Sequence, residues 1–150
     1  MENSYNNPIH SELMKSNGQL RILVVDDDEN IREILKDILM ISDHQVTLAS
    51  NGEEALEVFD REEFDLVFTD LGMPGISGWE VNRRIKESQP DMPVIIISGW
   101  GTQLSEEELK KNKADYVIPK PFNLDQIISV TERFSRKKSY ERKMTEVSVL

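Results

Sequence analysis

Leu66-Val67-Phe68-Thr69-Asp70-Leu71-Gly72-Met73-Pro74-Gly75-Ile76-Ser77-Gly78-Trp79-Glu80 is the stretch whose reading decides the fold. An apolar run ends in one carboxylate, passes through a Gly/Pro turn and enters a segment beginning Ser77-x-x-Glu80. Short apolar runs bounded by turn residues are buried parallel strands, and Ser-x-x-Glu is the signature of a helix N-terminus. Asp70 is thereby placed where a strand ends and a loop opens. In parallel α/β sheets ligands bind at that edge. A carboxylate there is exposed enough to react and fixed enough to be aimed.

The same alternation extends both ways from this stretch. Upstream, Ile22-Leu23-Val24-Val25 reads as a buried strand running into Asp26-Asp27-Asp28. Asp28 is placed as a cap, not a ligand, for a helix whose Ile31, Ile34, Leu35, Ile38 and Leu39 share one face. Residues 45–49 form a second strand, and Asn51-Gly52 opens a helix through Ala55, Leu56 and Phe59. The third strand covers residues 64–69, and the third helix runs from Gly78 to about Ser88. Residues 94–98, almost wholly apolar, make a fourth strand expected inside the sheet. A charged fourth helix covers residues 104–112, its Glu106-Glu107-Glu108 and Lys110-Lys111 cluster read as a solvated face with i,i+4 pairs. Residues 115–118 form the fifth strand, and Asn123 with Gln126 starts a last helix carrying Leu124, Ile127, Ile128, Thr131 and Phe134 on one stripe. Five βα alternations predict a doubly wound α/β fold: a five-stranded parallel sheet, covered on both faces, with right-handed crossovers.

A chain of 150 residues holds one such domain. Residues 1–19, polar and without periodicity, read as a flexible leader, residues 20–134 as the folded domain, and 135–150 as a tail or an extension of the last helix. The charge of −10 is uneven: residues 20–134 carry 12 basic and 24 acidic side chains, residues 135–150 five and two. An acidic body argues against direct nucleic-acid binding. With no cysteine, no secretory leader and no apolar run long enough to cross a membrane, the expected setting is the cytoplasm, away from membranes.

Chemistry-bearing side chains gather at one edge of this sheet. The first strand supplies Asp26 and Asp27, the third Asp70, the fourth Ser98, and Lys120 follows the fifth. If the first and third strands are neighbours, three carboxylates meet where the strand order reverses, and their mutual repulsion calls for a hard divalent cation. All-oxygen ligands suit Mg²⁺. The remaining groups suit a phosphoryl group on Asp70: a point charge from Lys120, a hydroxyl from Ser98 and unhindered backbone near Gly72.

Val25-Asp26-Asp27, Asp70 followed by Met73-Pro74-Gly75 and Gly78, Ser98-Gly99 and Lys120-Pro121-Phe122 resemble the receiver domain of bacterial two-component response regulators, of which the chemotaxis regulator is an example. The ordered set spans about residues 20–134. The strand order 2-1-3-4-5 is a known property of that family, carried over with the resemblance and not read from the sequence. The resemblance implies that Asp70 accepts a phosphoryl group from a phosphohistidine of a sensor kinase or histidine phosphotransfer protein. It implies that Asp27, Asp70 and the Gly72 carbonyl ligate Mg²⁺, with Asp26 acting mostly through a bound water. Ser98 and Lys120 would contact the phosphoryl oxygens and pass the change to a downstream protein through the face of helix four, strand five and helix five. Lys120-Pro121 is expected to be cis. Such a domain is a phosphoacceptor and not an enzyme, beyond slow self-dephosphorylation. The resemblance leaves a homodimer open.

Two positions depart from the family pattern. Val117 stands where an aromatic switch residue is usual, while Tyr116 points to the opposite face. Trp100 is a bulky group opposite small Gly72, and the loop Gly99-Trp100-Gly101 is expected to replace the aromatic switch. Trp79 reads as a packing residue, and His10 and His44 as surface residues. Two rivals remain: a scaffold of the same fold that is not phosphorylated, which the intact acidic set disfavours, and an Asp-nucleophile phosphatase of the haloacid-dehalogenase type. The latter needs an aspartate two residues after the nucleophile, where this chain has Gly72.

Overall fold

Strand and helix alternate five times: β1 (Arg21–Val25), α1 (Glu29–Ile41), β2 (Gln45–Ala49), α2 (Gly52–Arg61), β3 (Leu66–Asp70), α3 (Gly78–Ser88), β4 (Val94–Ser98), α4 (Glu106–Lys111), β5 (Tyr116–Pro119) and α5 (Leu124–Val149). The coordinates, a computed structural model, describe residues 18–99 and 104–149. The side chain of the residue just before each of the first four helices starts it. Asp28 accepts the Asn30 N–H, Asn51 that of Glu54, Ser77 that of Glu80 and Ser105 that of Glu108. Asn123 and Gln126 cap each other reciprocally, at 2.8 and 2.9 Å. At α3 only half of the expected box forms, because Glu80 turns its carboxylate to Arg83 and Arg84 instead of back to Ser77.

The strands lie in the order β2-β1-β3-β4-β5, every neighbouring pair parallel. Alternate side chains face opposite layers. Leu23, Val25, Val67, Val94 and Ile96 pack under α2 and α3, whose Ala55, Phe59, Val81 and Ile85 complete that layer. Ile22, Val24, Leu66, Phe68, Ile95 and Ile97 meet Leu35 and Leu39 of α1 and Ile127 and Val130 of α5. At ~1.5–3 kcal/mol for each large side chain fully buried, these two layers dominate the stabilisation. No described helix is long and apolar enough to cross a membrane.

Two strands begin later than the sequence pattern indicates, each because a carboxylate has turned to another strand. Asp65 accepts the N–H and guanidinium of Arg21, so β3 opens at Leu66, with Phe64 stacked on Phe59 just before it. Asp115 accepts the Val94 N–H at 2.8 Å, and β5 opens at Tyr116. Helix α4 is exposed as expected, but among the described residues no ion pair joins its glutamates to its lysines; it spans only Glu106–Lys111. Helix α5 continues as one 26-residue helix through Val149. Gly18 and Gln19 are held against it, their carbonyls accepting from Ser135 Oγ at 2.6 Å and Lys138 Nζ at 2.7 Å.

His44 is not a surface residue. It is 6% exposed, and its Nδ1 accepts the Leu20 N–H at 3.0 Å. The polar sequence around it gave no sign of this, because its hydrogen-bond partner, Leu20, lies 24 residues away in the chain. His10 lies outside the described residues. Burial pushes the His44 imidazole down to about 4, with the Lys138 charge adding to the effect and Asp43 opposing it. A histidine depressed in the folded state leaves the unfolded chain binding the extra proton, so its contribution to stability is complete above pH 6.5 and is lost as pH falls toward 4. Acidification across that window is expected to cost the wild type on the order of 2–3 kcal/mol from this residue. His44→Asn, which retains an acceptor that does not protonate, should remove that component in urea titrations at pH 7 and pH 4. Equal acid sensitivity of both proteins would contradict the assignment.

Candidate functional site

The register fixes the site. Val25 of β1 lies opposite Thr69 of β3, so the next residues, Asp26 and Asp70, emerge side by side at the carboxyl edge. Asp70 lies opposite Ile97 of β4, and Ser98 opposite Pro119 of β5, which hands the chain to Lys120. The Lys120 N–H donates to the Ser98 carbonyl at 2.9 Å, and the Lys120-Pro121 peptide is cis. The chain leaves β1 outward to β2 and returns on the far side to β3, so the order reverses between β1 and β3, beneath Asp26 and Asp70.

Asp26, Asp27 and Asp70 each offer a ligand oxygen, all within 4.8 Å of one another. Asp26 and Ser98 are 1% exposed and Asp70 7%, whereas Asp27 is open to solvent. The Lys120 ammonium lies 3.0 Å from Asp26 Oδ2 and 3.3 Å from Asp70 Oδ1. Burial first, then the neighbouring charge of Asp26, pushes Asp70 up to about 6; Lys120 opposes them. Burial pulls Lys120 down, but its bond to Asp26 and the surrounding carboxylates outweigh this and raise it. The sequence-predicted residues Asp26, Asp27, Asp70, Ser98 and Lys120 thus meet at one edge, with Gly72 exposed in the loop above. The chemistry of this donor set fits a hard divalent cation: three carboxylate oxygens and a single ammonium.

The loop that carries Gly72 is braced from two sides. A Cβ on Gly78 would lie 2.3 Å from the Asp70 carbonyl oxygen, so only glycine lets the start of α3 rest on the Asp70 backbone. Gly75 has φ +83°, and a side chain there would meet Glu53 of α2. Trp79 is half-buried against the layer under α2 and α3, as expected of a packing residue. Val117 packs in that same layer, and Tyr116 in the opposite one. Trp100 and Gly101, the expected moving loop, lie outside the described residues.

The sequence profile of the response regulator receiver domain matches residues 22–132. The chain belongs to this family. The receiver is 32% identical over 114 residues to the response regulator protein FleR of Pseudomonas aeruginosa, covering 75% of this chain and 24% of FleR. It is 34% identical over 110 residues to the response regulator MprA of Mycobacterium leprae, covering 73% of this chain and 48% of MprA. The chain therefore spans about a quarter to a half of these relatives. Among solved structures, the response regulator protein TrrA of Thermotoga maritima, in complex with Mg²⁺-BeF, superposes with a TM-score of 0.70 at 38% identity, over 76% of this chain and 97% of that one. The receiver is a signalling domain of two-component systems.

Two substitutions separate the electrostatics of the site from its packing. Asp70 is raised in the folded state, so stability present below pH 3.8 is lost as pH rises through about 6. Asp70→Asn removes the charge at nearly constant shape and is expected to stabilise the Mg²⁺-free receiver at pH 7 by ~1–2 kcal/mol. Gly78→Ala, overpacked against backbone, should destabilise it by ~1–3 kcal/mol. Urea midpoints at pH 7 in chelator-treated buffer test both, and a destabilised Asp70→Asn protein would refute the electrostatic account.

Proposed function

We propose that this receiver accepts a phosphoryl group on Asp70, in a Mg²⁺-dependent reaction, from the phosphohistidine of a sensor kinase or histidine phosphotransfer protein. The observation that carries this reading is the meeting of Asp26, Asp27 and Asp70 within 4.8 Å, with Lys120 3.3 Å from Asp70. An Asp70 carboxylate oxygen attacks phosphorus, the P–N bond of the phosphohistidine breaks, and the departing imidazole takes a proton. No general base is needed, since a carboxyl at about 6 is largely ionised at pH 7.

Asp27, Asp70 and the Gly72 carbonyl would hold Mg²⁺, which when bound supplies neutralisation of charge on the phosphoryl oxygens. Asp26 already has Oδ1 bonded to the Asp28 N–H at 2.9 Å and Oδ2 to Lys120, which supports contact with the ion through water. Lys120 supplies a point charge and Ser98 a hydroxyl to the phosphoryl oxygens. The product is an acyl phosphate, whose loss to water leaves the receiver with at most slow turnover. Its added charge changes affinity for a downstream protein through the face of α4, β5 and α5. The body of residues 20–134, with twice as many acidic as basic side chains, addresses proteins in the cytoplasm and not nucleic acid or membrane.

Incubation with acetyl phosphate and Mg²⁺, followed by intact mass measurement, tests the reading. Wild type should gain one phosphate. Asp70→Asn should gain none, and Asp27→Ala should require more Mg²⁺. Absence of the phosphate on wild type would favour a scaffold that has lost phosphorylation.

A further inference from the structure

All four polar backbone and carboxylate positions of Asp26 are occupied. Its N–H donates to Ala49 O at 3.2 Å, Oδ1 accepts the Asp28 N–H, Oδ2 accepts Lys120, and its carbonyl accepts Arg32 Nη1 at 2.7 Å. The last bond does not follow from secondary structure. Arg32 sits in the second turn of α1, its own N–H bonded to Asp28 O, and its half-buried side chain reaches back over the turn to the end of β1. An arginine serving only for solubility would extend into water.

The Asp26 carbonyl and the Asp27 N–H belong to one planar peptide unit. Whatever fixes that plane fixes the direction in which the chain sets out at Asp27. Asp27 is the exposed member of the acidic group, with no packed environment to hold its carboxylate in place. The ends of β1 and β2 are joined by the Asp26 N–H to Ala49 carbonyl bond at 3.2 Å.

We infer that Arg32 is a positioning residue: it pins the Asp26–Asp27 peptide plane and so aims Asp27 at the cation site. The inference rests on the reading of that site as one for Mg²⁺. Outer partners that orient a metal ligand typically contribute 10–100-fold to affinity.

Three measurements on the intact chain test this: calorimetric titration with Mg²⁺, amide exchange in metal-free buffer, and the thermal midpoint. Arg32→Met should bind Mg²⁺ about tenfold more weakly. It should also exchange the Asp28 amide faster, with the metal-free thermal midpoint shifted little. Arg32→Lys, which keeps a cationic donor, should recover part of the affinity. That variant carries the comparison if Arg32→Met does not fold, and a wild-type affinity in it would then overturn the inference. A folded Arg32→Met protein with wild-type Mg²⁺ affinity overturns it directly. Failure of the wild type to bind Mg²⁺ overturns the metal reading instead. The two failures are told apart by the Asp28 amide, measured without metal, whose unchanged exchange in Arg32→Met would dispose of the tether on its own.

Discussion

The Lys120 ammonium stands 3.0 Å from Asp26 and 3.3 Å from Asp70, at the rim of a sheet whose interior side chains are almost entirely apolar. Two buried carboxylates side by side repel, and the apolar layers beneath them provide no solvation to weaken that repulsion. One lysine, delivered from the far side of β4 by the register of β5, offsets it only in part, and Asp70 remains raised to about 6. The edge is thus poised for added positive charge. Any cation that binds the folded chain and not the unfolded one also stabilises it, so occupancy of the site and stability of the domain are linked quantities.

Much of this was legible in the sequence because it was local. Asp28, Asn51, Ser77 and Asn123 each announce a helix through bonds spanning two or three residues. The apolar runs of β1, β3 and β4 needed no partner to be recognised as buried strands, and each informative strand end carried its functional group. The order of the strands was not local, and entered only through the family. The misreadings share that origin. Asp65 and Asp115 delayed the start of their strands by bonding to residues 44 and 21 positions away, and His44 is bonded inside the fold to Leu20, 24 positions away. Arg32 was readable as a helix residue, but nothing in its neighbourhood pointed to a carbonyl six residues earlier.

Strand β5 shows how a departure from the family pattern is accommodated. Tyr116 lies on the α1–α5 side of β5, its ring edge-on to Phe134 at 6.1 Å and covered by the Arg133 guanidinium 5.4 Å from its centroid. Arg133 also donates to the Tyr116 hydroxyl. A ring engaged by an aromatic edge, a cation and a hydrogen bond is anchored to α5. Val117, on the other side, is β-branched and restricted at χ1. Strand β5 is therefore held to α5 by an aromatic edge, a cation and a hydrogen bond on one side chain.

The bonds from Ser135 and Lys138 to the carbonyls of Gly18 and Gln19 have a consequence for how such a body can be joined to other chains. They bring the point where the polypeptide enters β1 beside the point where α5 leaves the packed layers. Both lie at the amino edge, a strand length of roughly 17 Å from the acidic edge. Entry and exit that nearly touch make a cassette: the body can be spliced into a host loop with little distortion of either partner. Beyond Lys138 the helix continues about 16 Å as a stiff rod. A host joined there would be held at a fixed angle, and would feel any tilt of α5 magnified by the length of the rod.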